Sequence, residues 1–175
     1  MSNHIFLIGL MGSGKTTVGR KLAGLLGREF IDIDGELIRR TGVTISHIFE
    51  VEGEEGFRDR ESRLLGEICQ DGQAVVSTGG GIVIRPENRA LMRESGQVVY
   101  LDIPLDALWL RLRNCRNRPL LQVEDPKARM EEIKLEREPL YREAADFRVS
   151  VSSDSANRTA RRIQACLAGR PAAAQ

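Results

Sequence analysis

Gly9-Leu10-Met11-Gly12-Ser13-Gly14-Lys15-Thr16 follows directly on the apolar run Ile5-Phe6-Leu7-Ile8 and fits G-x-x-x-x-G-K-[ST], a phosphate-binding loop. Glycines let the backbone curl until successive N–H groups face one concavity, a nest for polyphosphate oxyanions. A helix predicted to start near Lys15 adds the positive end of its dipole. Lys15 reaches the outer phosphates, and the Thr16 hydroxyl suits a magnesium ion carried by the nucleotide. From average residue frequencies, a chain of this length matches by chance on the order of one per cent of the time. The flanking strand and helix that the motif requires are both predicted here, which sets a glycine-rich surface turn aside.

The 175 residues predict one domain, residues 1–175, with room for a substantial core. Hydrophobic residues at 41% and charged residues at 29% are ordinary for a soluble globular protein. A net charge of +1 supplies no global field for nucleic acid or an anionic membrane, so anion binding must be local. Cys69, Cys115 and Cys166 are odd in number and far apart, which argues against a disulfide framework or structural zinc and fits a reducing cytoplasm. The first strand starts too early to leave room for a signal peptide, and no apolar run is long enough for a bilayer. Without a strong exposed apolar stripe, a monomer is expected.

Outward from the loop, strand-like and helix-like runs alternate, the pattern of a parallel α/β sheet. Strands are predicted at residues 4–8, 29–33, 74–77, 97–102 and 147–151. Lys15–Leu26 places Val18, Leu22, Leu25 and Leu26 on one face and stops at Gly27. Helical pattern runs from the second strand to Thr41-Gly42, a short helix starts at Thr44, and a longer one covers residues 54–70. Pro86 suits the first turn of another helix. Residues 104–113 and 126–144 read as helices separated by a polar loop, residues 113–125. Residues 155–168 form the last helix before a frayed tail.

Ligands of open parallel sheets bind beyond the carboxyl ends of the strands. The second strand ends in Asp32-Ile33-Asp34, and a period of two places both carboxylates on one side of an extended chain. One suits a magnesium hydration shell and the other an acceptor hydroxyl; alternatively Asp34 N-caps the next helix. The third strand ends in Thr78-Gly79-Gly80-Gly81, either a site of close ligand approach to the backbone or a flexible turn. In residues 54–70, Phe57, Leu64, Leu65 and Ile68 form an inward stripe that also contains Glu61, with Arg58 three residues earlier. This pair reads as a pocket edge in which Glu61 aims the Arg58 guanidinium at an anion, or as a surface ion pair. Phe49 and Phe57 read as core. The loop of residues 113–121 carries Arg113, Arg116 and Arg118, a phosphoryl-transfer lid or a solvated basic loop. Composition alone does not single out Arg137.

The set as a whole resembles the shikimate kinase family. The residues that carry the likeness are the phosphate loop, Asp32-x-Asp34, Ile48-Phe49-Glu50 with Gly53-Glu54-Glu55-x-Phe57-Arg58-x-x-Glu61, Thr78-Gly79-Gly80-Gly81, Arg118-Pro119-Leu120-Leu121 and Arg137-x-Pro139-Leu140-Tyr141. The resemblance implies a three-layer α/β/α P-loop kinase fold with a five-stranded parallel sheet in the order 2-3-1-4-5. It also implies a mobile lid near residues 112–125, a shikimate-binding helical region near residues 34–62, and transfer of the ATP γ-phosphate to the shikimate 3-hydroxyl, a step toward chorismate and the aromatic amino acids. By position it assigns ATP to Gly12, Ser13, Gly14, Lys15, Thr16, Thr17, Arg118 and the loop of Asp154, and magnesium to Thr16 and Asp32. Shikimate falls to Asp34, Arg58, Gly79, Gly80, Gly81 and Arg137, and catalysis to Lys15, Asp34 and Arg118. Asp154 stands where relatives often carry Arg or Gln. The alternatives are a related small-metabolite kinase, such as a gluconate kinase, or a nucleotide-binding regulator without turnover.

Overall fold

The apolar run before the glycine loop forms β1 (His4–Ile8), in which every residue is buried, as strands covered on both faces are. The structure, a computed structural model, describes residues 3–70, 72–113, 121–151 and 155–169. β1 lies at the centre of a five-stranded sheet with β2 (Phe30–Asp32), β3 (Val75–Ser77), β4 (Gly96–Asp102) and β5 (Phe147–Ser150). All pairings are parallel, and the order is β2-β3-β1-β4-β5, as the resemblance implies. Leu7 of β1 stands opposite Ser77 on one side and Val99 on the other.

The helices are α1 (Lys15–Leu26), α2 (Ile33–Thr41), α3 (Ile45–Ile68), α4 (Pro86–Ser95), α5 (Leu105–Leu112), α6 (Pro126–Ala144) and α7 (Ala156–Ala168). The step from β1 to β2 runs one way along the sheet, and the steps into β3, β4 and β5 run the other. Right-handed crossovers therefore put α1 on one face and the intervening helices on the opposite face. α7 returns to pack on α1, while α4 and α6 pack on β4. The reversal of direction falls between β1 and β3, and a crevice opens beyond their carboxyl ends.

Three local departures from the predicted elements matter for that crevice. β2 stops at Asp32, because its side chain accepts a hydrogen bond from Gly35 N at 3.0 Å and caps α2. Ile33 and Asp34 are therefore helical, so the period-two reading of the two carboxylates does not hold. The two helices predicted from Thr44 and Glu54 follow one another as α3, with a break at Gly53 (φ 71°, ψ −177°). A 3-10 turn, Ile82–Ile84, follows the three glycines and was not anticipated. Residues 114–120 of the predicted lid, with Cys115 and Arg118, lie outside the described residues, as does Asp154.

Candidate active site

Gly9, Gly12 and Gly14 all have positive φ (141°, 79° and 94°), so the loop after β1 takes a path closed to ordinary side chains. Val18 N donates to Gly14 O at 2.9 Å, which starts α1 directly from the loop. Lys15 is folded back into the nest, its Nζ donating to Gly9 O at 2.7 Å and Leu10 O at 2.9 Å. The Thr16 hydroxyl donates to Asp32 Oδ2 at 2.6 Å and lies 3.4 Å from Ser77 Oγ. A cavity of about 400 Å³ opens above, lined by Gly12, Gly14, Lys15, Thr16, Thr17, Asp32, Asp34, Ser77, Thr78, Gly80 and Arg111. Its chemistry is anion-binding at the loop and oxygen-donating at Thr16 and Asp32. Among the described residues no cluster of three or more His, Cys, Asp or Glu could cage a metal. A hydroxyl beside one carboxylate suits magnesium, which keeps several waters and binds largely through phosphate oxygens.

A second pocket shares Asp34 and Gly80 with the first and is completed by Met11, Ile45, Phe49, Phe57, Arg58, Gly79, Gly81 and Arg137. Arg58 is 4% exposed and Glu61 fully buried. Arg58 Nη1 donates to Glu61 Oε2 at 2.8 Å, and Nη2 to Glu54 Oε1 at 3.1 Å. Burial pushes the Glu61 carboxyl above its usual range, while Arg58 and Arg137 pull it back. The surface-pair alternative for Arg58 and Glu61 is thus excluded. Arg137, 5% exposed on α6, faces Gly80 from the other side. Tyr141, one turn further along α6, donates from its hydroxyl to Gly80 O at 2.5 Å, and burial raises its pKa above the ordinary phenol value.

Two of the three glycines have a structural cause. A Cβ on Gly79 would overlap Glu61 Oε1, and one on Gly81 would overlap the Arg58 guanidinium. Neither residue has positive φ. The close approach is that of the protein's own ion pair rather than a flexible turn. The turn after β3 thereby becomes the floor on which two arginines are aimed into one pocket.

The family profile described as Shikimate kinase matches residues 11–168. The chain belongs to the shikimate kinase family. A shikimate kinase from Halorhodospira halophila is 50% identical over 169 residues, 97% of this chain and 96% of that protein. One from Burkholderia thailandensis is 51% identical over 154 residues, 88% of this chain and 84% of that protein. The solved shikimate kinase of Acinetobacter baumannii in complex with shikimate is 44% identical, covers 96% of this chain and 94% of that one, and superposes with a TM-score of 0.93. The chain is thus an ATP-dependent kinase that acts on shikimate.

Within this shikimate kinase fold, the described site residues named from the sequence line the two adjoining pockets, except Ser13, which is fully buried beneath the loop and lines neither. Asp34 stands in the first turn of α2 and faces both, so the capping alternative passes to Asp32. Phe49 and Phe57, read as core, also form pocket wall, with ring centroids 4.7 Å apart. Phe57 serves both purposes, being 4% exposed. Sequence reasoning missed Ser77, Arg111 and Tyr141. Arg111 on α5 donates from Nη1 to Gly12 O at 3.2 Å, 99 positions away. Its only local signal was a cation near the end of a helix.

Proposed function

We propose that the chain transfers the γ-phosphate of ATP to the 3-hydroxyl of shikimate across the wall that its two pockets share. Gly12, Ser13, Gly14, Lys15, Thr16 and Thr17 hold the triphosphate, with Lys15 turning from the Gly9 and Leu10 carbonyls onto the outer phosphates. Thr16 directly and Asp32 through water would hold magnesium, which supplies charge neutralisation on the transferring group. Arg58 and Arg137 clamp the shikimate carboxylate, since a planar guanidinium matches carboxylate geometry. Gly79, Gly80 and Gly81 form the floor beneath the ring substituents. The acceptor hydroxyl donates a hydrogen bond to Asp34. Its oxygen attacks the γ-phosphorus, the bond to the β–γ bridging oxygen breaks, ADP leaves, and Asp34 is placed to take the hydroxyl proton. Most of the acceleration comes from positioning and electrostatics.

Arg118 keeps what the resemblance implies, a contact to the ATP phosphates from the lid, and Asp154 keeps its place in the loop that the resemblance assigns to adenine. The free thiols Cys69 and Cys166 fit a reducing compartment, so we place the enzyme in the cytoplasm, as a monomer. No helix among the described residues is long and apolar enough to cross a membrane. The observation that carries the reading is that Asp34 and Gly80 line both pockets. Coupled ADP release measured across a panel of hydroxy acids tests it. Turnover on shikimate and none on gluconate is expected; the reverse pattern overturns it.

A further inference from the structure

The first arm of α3, residues 45–52, hangs between two glycines in left-handed or glycine-only backbone conformations, Gly42 (φ 72°) and Gly53 (φ 71°, ψ −177°). A Cβ on Gly53 would meet nothing within 4 Å. Glycine is therefore present there for the backbone conformation, one essentially closed to other residues, rather than for space. The regular helical backbone is interrupted at Gly53, so side-chain contacts across the break help to fix the angle between the two arms. That angle matters because Ile45 and Phe49 come from the first arm, Phe57 and Arg58 from the second, and all four line the acceptor pocket.

The second arm is anchored. Arg85, just after the 3-10 turn, pairs with Glu55 and, at 2.7 Å, with Asp59, and Arg58 is held by Glu61 inside. Among the described residues, two side-chain contacts join the first arm to the second across the break. On the pocket side Phe49 packs on Phe57. On the outer side Glu52 accepts two parallel hydrogen bonds from Arg60, Nε to Oε2 at 2.7 Å and Nη2 to Oε1 at 2.6 Å. Gly56 permits this, since a Cβ there would come within 2.5 Å of Glu52 Cβ.

We propose that Glu52 and Arg60 are positioning residues, a latch across the Gly53 break that sets how closely the Phe49 arm stands over the acceptor site. The latch touches neither substrate. It acts by holding Phe49 and Ile45 against the substrate ring opposite Arg58, so its loss widens the pocket and leaves the donor side unaltered. The inference rests on the assignment of this pocket to shikimate.

Steady-state kinetics with each substrate varied test it in Glu52→Gln, Arg60→Gln and the charge-exchanged double variant Glu52→Arg/Arg60→Glu. Arg39→Gln is the control, because it breaks another solvent-exposed two-bond pair, with Glu36 on α2. Each latch single variant should raise the KM for shikimate about threefold, the scale of one solvent-exposed ion pair. The KM for ATP and kcat should stay at the wild-type values, and the control should change none of them. The exchanged pair should recover most of the lost shikimate KM, and high salt should shrink the gap between wild type and single variants. Equal shifts in both KM values, no shift in either, or no recovery in the exchanged pair would overturn the latch while wild-type turnover on shikimate leaves the acceptor assignment standing. A wild-type enzyme inactive on shikimate would overturn the assignment and the latch together.

Discussion

Gly81→Ala isolates the aim of Arg58 from the presence of Arg58. The added Cβ would fall more than 1 Å inside the 3.4 Å of ordinary contact with the Arg58 guanidinium. The guanidinium is the far end of a long side chain and can retreat, but it is buried and tied to Glu61 and Glu54. The displacement of about 1 Å is therefore taken out of the carboxylate clamp. A hydrogen bond to a charged group is worth about 1.5–3 kcal/mol. One lost to a shikimate carboxylate raises the KM for shikimate about 10- to 150-fold. The donor pocket does not contain Gly81 or Arg58, so the KM for ATP should remain within about twofold of wild type. Kinetics with each substrate varied in turn, beside thermal denaturation to establish that the variant is folded, decide the matter. A folded Gly81→Ala enzyme with an unchanged shikimate KM would refute the claim that this glycine exists to seat Arg58.

Asp34→Asn should lower kcat by about 100-fold or more, the scale of a lost general base, with the ATP KM little altered; near-normal kcat would leave Asp34 no part in the chemistry. Tyr141→Phe removes the hydroxyl that donates to Gly80 O and should cost about 1 kcal/mol, read as a fall in Tm of about 2–4 °C. An unchanged Tm would mean that the floor of the acceptor pocket is held without it. Asp102 is raised by burial, but Arg148 and Lys134 outweigh this and hold its carboxyl below the usual value of 3.8. A depressed acid contributes stability above that value and loses it as pH falls through the folded-state pKa. The Tm deficit of Asp102→Asn should therefore be present at pH 7 and shrink below pH 3.8; a deficit that grows on acidification would contradict the sign.

The donor half was legible because its chemistry is local. A nest and a helix N-terminus need consecutive residues, and Gly9 to Thr16 supply them in one stretch. The alternation of apolar runs was equally readable, since buried parallel strands leave uninterrupted hydrophobic segments. Asp34 was selected for a reason that failed: cap chemistry at Asp32 ends the strand one residue early and puts Asp34 on a helix, yet aimed at the same crevice. Phe49 looked like core because a scarce aromatic usually is, and nothing in the sequence registers how Gly53 turns the chain to place it at the pocket. Arg137 became visible only through the family resemblance, as Pro139 and the neighbouring acids mask the face on which it lies. Arg111 meets the loop only after folding joins positions 12 and 111, and no spacing rule links them. The glycines after β3 were recognised as a feature, but the cause of Gly79 and Gly81 lay in two side chains of α3 that the stretch holding the glycines does not display.

The central claim, one donor pocket and one acceptor pocket meeting at Asp34 and Gly80, is tested most directly by ADP formation at fixed ATP and magnesium as shikimate is titrated. Saturable, shikimate-dependent ADP release far above the rate without acceptor, with one shikimate phosphate formed for each ADP, is the predicted result. ADP formation that proceeds equally with and without shikimate, releasing free phosphate, would contradict it.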